Sequence, residues 1–192
     1  MNKFIERYKF PLLHVWNICS KPNMTLRYEA LLNVFHSKTV LKQYIMPLAE
    51  ILMMMCFVSK LIFADMNFAL AVVMSIFYYF SFVISFVLLF YVLKWFLLRY
   101  YVNEIENRNV SFLVSSLMSL TFAIEVSLLM MPNMFFLRMF YLYMFYLVWV
   151  MSEGVVDVDE GRRNVYMVFV SFFVIIVPMV IMVLLKKMVP NL

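Results

Sequence analysis

Five apolar runs constrain this chain more than any other feature. They occupy about 44–64, 68–93, 110–131, 134–151 and 165–185. A helix crossing a hydrocarbon core about 30 Å thick needs about 20 residues. Each run is near that length, and breaks at 65–67, 94–109, 132–133 and 152–164 separate them. A β-barrel would instead alternate apolar and polar positions in segments of about ten residues. Only 2 glycines are present, too few for a turn-rich β-architecture.

Composition points the same way. Apolar residues make up 66% of the 192 positions and charged residues 14%. A soluble domain has about 45–50% and about 25%. Too little polar surface remains to cover a soluble core. The expected fold class is therefore all-α. It is a polytopic transmembrane helical bundle with five spanning helices and a short N-terminal cytoplasmic helical segment. The expected division is residues 1–41 as a basic N-terminal segment and 42–192 as the membrane domain.

The N-terminal segment carries Lys3, Arg7, Lys9, Lys21, Arg27 and Lys38 against Glu6 and Glu29. Its first long apolar run begins after residue 41, so a cleavable signal peptide is not expected. Pro11 and Pro22 punctuate it. Asn23 or Thr25 is positioned to cap a short helix through about His36, with Leu26, Ala30, Leu31 and Val34 sharing a face. Such a helix suits either the membrane surface or the side of the bundle.

Only Asp65, Met66 and Asn67 separate the first two runs, which predicts a tight antiparallel hairpin. Apolar character continues past Lys94 to Tyr101, so the second helix should overrun the bilayer, with Lys94 and Arg99 snorkelling to headgroups. Pro47 falls near the start of the first spanning helix, where a missing N–H costs little. Pro132 and Asn133 end the third run, and Pro178 should kink the last. Lysines and arginines set orientation. With the N-terminus inside, twelve basic residues fall on the cytoplasmic side and four on the other. The expectation is N-in and C-out in a cell inner (cytoplasmic) membrane, a placement that membrane voltage and anionic lipids reinforce.

An ionisable residue inside a membrane is costly, at least about 2.5–3.5 kcal/mol on insertion scales. Two carboxylates are the candidate intramembrane polar sites. Glu125 sits deep in the third run, with Ser119, Thr121 and Ser127 as prospective hydrogen-bond partners. It reads either as a proton or cation site or as a carboxyl joining two helices. Glu50, within two turns of the first run's cytoplasmic end, is placed to pair with a cytoplasmic basic residue. Lys60 and Arg138 should reach outer headgroups.

The acidic loop from Glu153 to Glu160 lacks calcium-loop spacing, because the twelfth residue from Asp157 is Val168. It reads as a solvated loop. Cys19 and Cys56 form no CxxC pair and read as buried apolar thiols. No HExxH, GxSxG or phosphate-binding glycine loop is present. The expectation is no catalytic, cofactor-binding or metal residue, and no cofactor. Membrane lipids and a protein docking on the N-terminal segment are the expected partners, and nucleic acid is not.

Three stretches carry a family likeness. Lys21-Pro22-Asn23-Met24-Thr25, with Glu29 following, is similar to a Lys-Pro segment before a short polar helix. Gln43-Tyr44-Ile45-Met46-Pro47-Leu48 is similar to a Tyr-x-x-Pro-Leu approach to a first spanning helix. Leu142-Tyr143 through Val150, then Asp159-Glu160-Gly161-Arg162-Arg163, is similar to a fourth helix, charged loop and closing helix. The chain thus resembles the Yip1 family of five-helix membrane proteins, in its bacterial branch. The resemblance implies a cytoplasmic N-terminus, an outside C-terminus and no catalytic residues. The expected function is that of a non-enzymatic membrane protein acting through protein or lipid partners. The alternative is a small transporter or channel using Glu125.

Overall fold

Helices are the only regular structure among the described residues of the computed structural model, which are 2–23, 25, 37–64, 66–101, 105–156 and 158–187. Helices bond their own backbone, as hydrocarbon requires. Four are long and apolar enough to cross a membrane: Leu41–Phe63, Phe68–Tyr100, Asn107–Met130 and Glu160–Leu185. They coincide with four of the five expected runs.

The first helix, α1 (Asn2–Ser20), runs through Pro11 instead of stopping there. A proline inside a helix costs about 3 kcal/mol. The offset comes from packing, because Pro11, His14, Val15 and Ile18 are buried on one stripe at i, i+3, i+4 and i+7. The short helix expected up to His36 falls largely outside the described residues.

Among the described residues, helix is already present at Ser37, ahead of the expected start near Tyr44. A turn at Ser37–Val40 leads into a π-helical stretch, Leu41–Ile45, and then into α2 (Met46–Phe63). The Met46 N–H bonds back to the Leu41 carbonyl. The widened turn meets the helix where Pro47 has no N–H to give. It also turns Tyr44 and Ile45 into the core.

The hairpin is as expected, with α3 (Phe68–Tyr100) starting five residues after α2 ends. Asn67 caps α3 by accepting from the Ala69 N–H at 3.4 Å, and Phe57 meets Phe68 edge to face. The 33 residues of α3 make a rod about 50 Å long, against a core of about 30 Å. Its far end is held by polar contacts. Lys94 donates to the Asn107 side chain at 2.7 Å, and Arg162 donates to the Tyr100 carbonyl at 3.3 Å.

At the centre lies α4 (Asn107–Met130), packed against α1, α2, α3 and the elements that follow. Every residue from Val110 to Phe122 is buried. The small side chains of Ser111, Ser115, Ser116 and Ser119 allow close helix approach.

The fourth run departs from the expectation of one helix over 134–151. It forms a 3₁₀ helix, Phe135–Leu142, followed directly by α5 (Tyr143–Gly154). In a 3₁₀ helix, positions i and i+3 eclipse, which sets Leu137 and Phe140 together beside α4. The last helix, α6 (Glu160–Lys187), continues through Pro178 and packs on α3 and α5. The Ser81 hydroxyl reaches the Pro178 carbonyl at 3.5 Å. Outward positions are apolar along the spans, among them Met54, Ile62, Phe80, Ile84, Phe172 and Val183.

Candidate functional site

The two carboxylates singled out in the sequence occupy different places, and the structure does not bring them together. Glu50 meets α1. Arg7 Nη2 lies 2.5 Å from Glu50 Oε1, and the Tyr8 hydroxyl donates to Glu50 Oε2 at 2.6 Å. Both oxygens are therefore engaged by adjacent residues of one helix. The Tyr8 hydroxyl is held above the usual tyrosine range, first because its proton is shared with Glu50 and then through partial desolvation. The expected basic partner of Glu50 is thus Arg7.

Farther along α1, His14 packs edge-on against the Tyr44 ring at 5.2 Å and near Phe112. Tyr44 and Ser119 share a hydroxyl–hydroxyl hydrogen bond. Ser119 and Ser115 in turn bond back to the carbonyls of Ser115 and Ser111. The result is a buried polar seam from α1 through the π-turn into α4. Near the end of α1, Cys19 faces α4, the 3₁₀ helix and Tyr143. In order, α1 meets α2 through Glu50, then the π-turn and α4 through His14, so it lies across these elements. Its outer side presents Glu6, Lys9, Leu12, Leu13 and Trp16, the last 71% exposed.

Glu125 is half-buried on α4. Its partner is Tyr141 of the 3₁₀ helix, whose hydroxyl donates to Oε1 at 2.9 Å. The three expected partners point elsewhere. Ser119, Thr121 and Ser127 bond to the carbonyls of Ser115, Leu117 and Ala123. A hydroxyl four residues past a carbonyl finds it without leaving its own helix. Arg138 and Tyr78 lie within electrostatic reach of Glu125. Arg138 is exposed, while Lys60 is half-buried.

The acidic loop is also partly engaged. Glu153 accepts from Arg163 at 2.7 Å, and the Arg163 guanidinium lies 5.3 Å from the Trp149 ring centre. Cys56 is buried as expected, but Cys19 is exposed, because the buried stripe of α1 passes through Ile18. Among the described residues, no three His, Cys, Asp or Glu side chains group to hold a metal.

A cleft of about 270 Å³ opens between α4 and the 3₁₀–α5 segment. Leu120, Ala123, Ile124 and Ser127 line it from α4, Leu137, Phe140 and Tyr143 from the facing segment, and Cys19 from α1. Neither this cleft nor the docking of α1 is anticipated by the expectations drawn from the sequence. The spacing of Pro11, His14, Val15 and Ile18 was a readable signal for the second. The cleft had none, because it depends on the 3₁₀ conformation. No protein-family model, curated protein or solved structure matches this chain.

Proposed function

We propose that this chain is a non-enzymatic, five-span protein of a bacterial inner membrane, resembling the Yip1 family, that acts through protein or lipid partners meeting α1. The observation that carries this reading is the double engagement of Glu50 by Arg7 and Tyr8. It fixes α1 across the bundle and leaves Lys9, Leu12, Leu13 and Trp16 outward as a basic and apolar face. The polar side chains around Glu125 support a structural role, since Ser119, Thr121 and Ser127 bond carbonyls of their own helix and Glu125 is held by Tyr141. The fifth span would be the 3₁₀ helix and α5 together. Eight residues at about 2.0 Å and twelve at about 1.5 Å give about 34 Å, enough to cross about 30 Å.

Two measurements test the reading. Cysteine accessibility at both termini should place the N-terminus inside and the C-terminus outside; a cytoplasmic C-terminus overturns five spans. A photo-crosslinking residue at Trp16 in native membranes should yield a discrete product that the same probe at Met54 does not. Equal, diffuse labelling at both sites overturns the partner role. Because α1 packs into the bundle, these point replacements are cleaner than deleting residues 1–41.

A transporter or channel is the second reading, favoured by Glu125 with Tyr141 and Arg138 beside it. It requires Glu125→Gln to abolish proton or cation flux in proteoliposomes while the helical content stays unchanged.

A further inference from the structure

The turn between α4 and the 3₁₀ helix reads Met130-Met131-Pro132-Asn133-Met134. Three of these five positions carry a thioether, against 19 of 192 in the whole chain, so the turn concentrates sulfur. Methionine usually fills gaps in a core. These three do not, because all are exposed.

The turn is also fixed. The Met134 N–H donates to the Met131 carbonyl at 3.0 Å, across Pro132 and Asn133. That bond closes a β-turn, which brings the first and last Cα atoms within about 7 Å. On either side, the Met131 N–H donates to the Ser127 carbonyl at 2.9 Å and the Leu137 N–H to the Met134 carbonyl at 3.1 Å. A fourth thioether stands at the same end of the bundle. In the α2–α3 hairpin the Met66 N–H donates to the Lys60 carbonyl at 3.3 Å. Neighbouring Ser59 donates to the Leu129 carbonyl at 2.6 Å, one residue before Met130. These bonds set the hairpin beside the methionine turn.

Thioether sulfur is a soft, neutral donor that selects Cu(I) over hard ions. It cannot offset the double charge of Mg²⁺, Ca²⁺ or Zn²⁺. No carboxylate stands in residues 130–138, and Arg138 follows in the 3₁₀ helix, which disfavours divalent ions further. We propose that Met131 and Met134, with Met130 and Met66 beside them, bind one soft monovalent cation of the Cu(I) or Ag(I) type. Each side chain has three rotatable bonds with which to turn its sulfur toward a shared ion. This site goes beyond the partner reading above and does not depend on it.

The test uses the full-length protein in detergent micelles with Cys19→Ser, because the exposed Cys19 thiol would compete for the same ions. Cu(I), kept reduced by ascorbate without oxygen, is titrated against a chromogenic Cu(I) chelator. The protein should withdraw one equivalent. Met131→Leu with Met134→Leu should weaken binding at least tenfold, while Met54→Leu with Met179→Leu leaves it unchanged. Leucine keeps the apolar volume, so helical content should stay the same in both. In protein carrying ¹³C at the methionine methyls, Ag(I) should shift the Met131 and Met134 signals, assigned from the single leucine variants. The signals of Met54 and Met179, exposed elsewhere on the bundle, should stay in place.

Affinity that survives Met131→Leu with Met134→Leu overturns the proposal. So does a protein that withdraws no Cu(I), or Ag(I) shifts spread equally over all exposed methionines. Zn(II) that moves the Met131 and Met134 signals as readily as Ag(I) overturns the assignment to a soft cation.

Discussion

Arg7 and Glu50 lie 43 positions apart, and their side chains meet at 2.5 Å. With Tyr8 on the second carboxylate oxygen, the pair ties an amphipathic helix to the first spanning helix. Arg7 is 45% exposed and Glu50 27%, so water and headgroups screen the attraction.

Removing the acceptor should loosen α1. Glu50→Ala deletes both contacts and should cost about 1–2 kcal/mol. Backbone hydrogen exchange along 6–20 should speed up, with α3 unchanged. The exchange of charges in Arg7→Glu with Glu50→Arg should recover part of the loss. Equal exchange in all variants would mean that the buried stripe alone holds the helix.

Docking of α1 should weaken in strong alkali. The folded Tyr8 pKa is raised, so folding favours the protonated phenol. That contribution is fully present below the unfolded value of about 10 and is lost as pH rises through the higher folded value. The phenolate would lose its donated bond and sit beside the Glu50 carboxylate. Exchange protection of α1 should therefore fall above about pH 10, and Tyr8→Phe should remove the Tyr8-dependent part of that fall.

The Tyr141–Glu125 bond should hold the 3₁₀ helix on α4. Tyr141→Phe strands a carboxyl oxygen and should destabilise the protein in detergent by about 1–3 kcal/mol. The double replacement Tyr141→Phe with Glu125→Leu removes both polar partners and should recover much of that loss. Additive losses in the double-mutant cycle would show that the two side chains are not coupled.

A weaker effect is expected where α5 meets α6. Arg163 both pairs with Glu153 and lies over Trp149. Arg163→Ala should cost about 1 kcal/mol and shift Trp149 fluorescence. The signal is best read with Trp16 and Trp95 replaced by phenylalanine. An unchanged spectrum would argue against the ring contact.

The sequence by itself determined the class of protein and the placement of four helices. Apolar runs of bilayer length must bond their own backbone, which makes them helices wherever they sit. Hence the α2–α3 hairpin, the overrun of α3 and the bounds of α4 and α6 were legible within a few residues. So was the need for Glu50 to find a basic partner, since a carboxylate near hydrocarbon is costly unpaired.

Tertiary structure alone decided the rest. The run after Pro132 is as apolar as the others, yet it divides into a 3₁₀ and an α part. That choice depends on packing against α4, which hydropathy does not register. Glu125 was visible, but its partner was not. The nearby serines bond their own helix, and Tyr141 arrives only when the chain folds back across the Pro132–Asn133 turn. The docking of α1 was not anticipated either, because hydropathy does not say which neighbour an amphipathic helix covers. The bundle offered Glu50, Tyr44 and Phe112 in one line, and α1 took the protein.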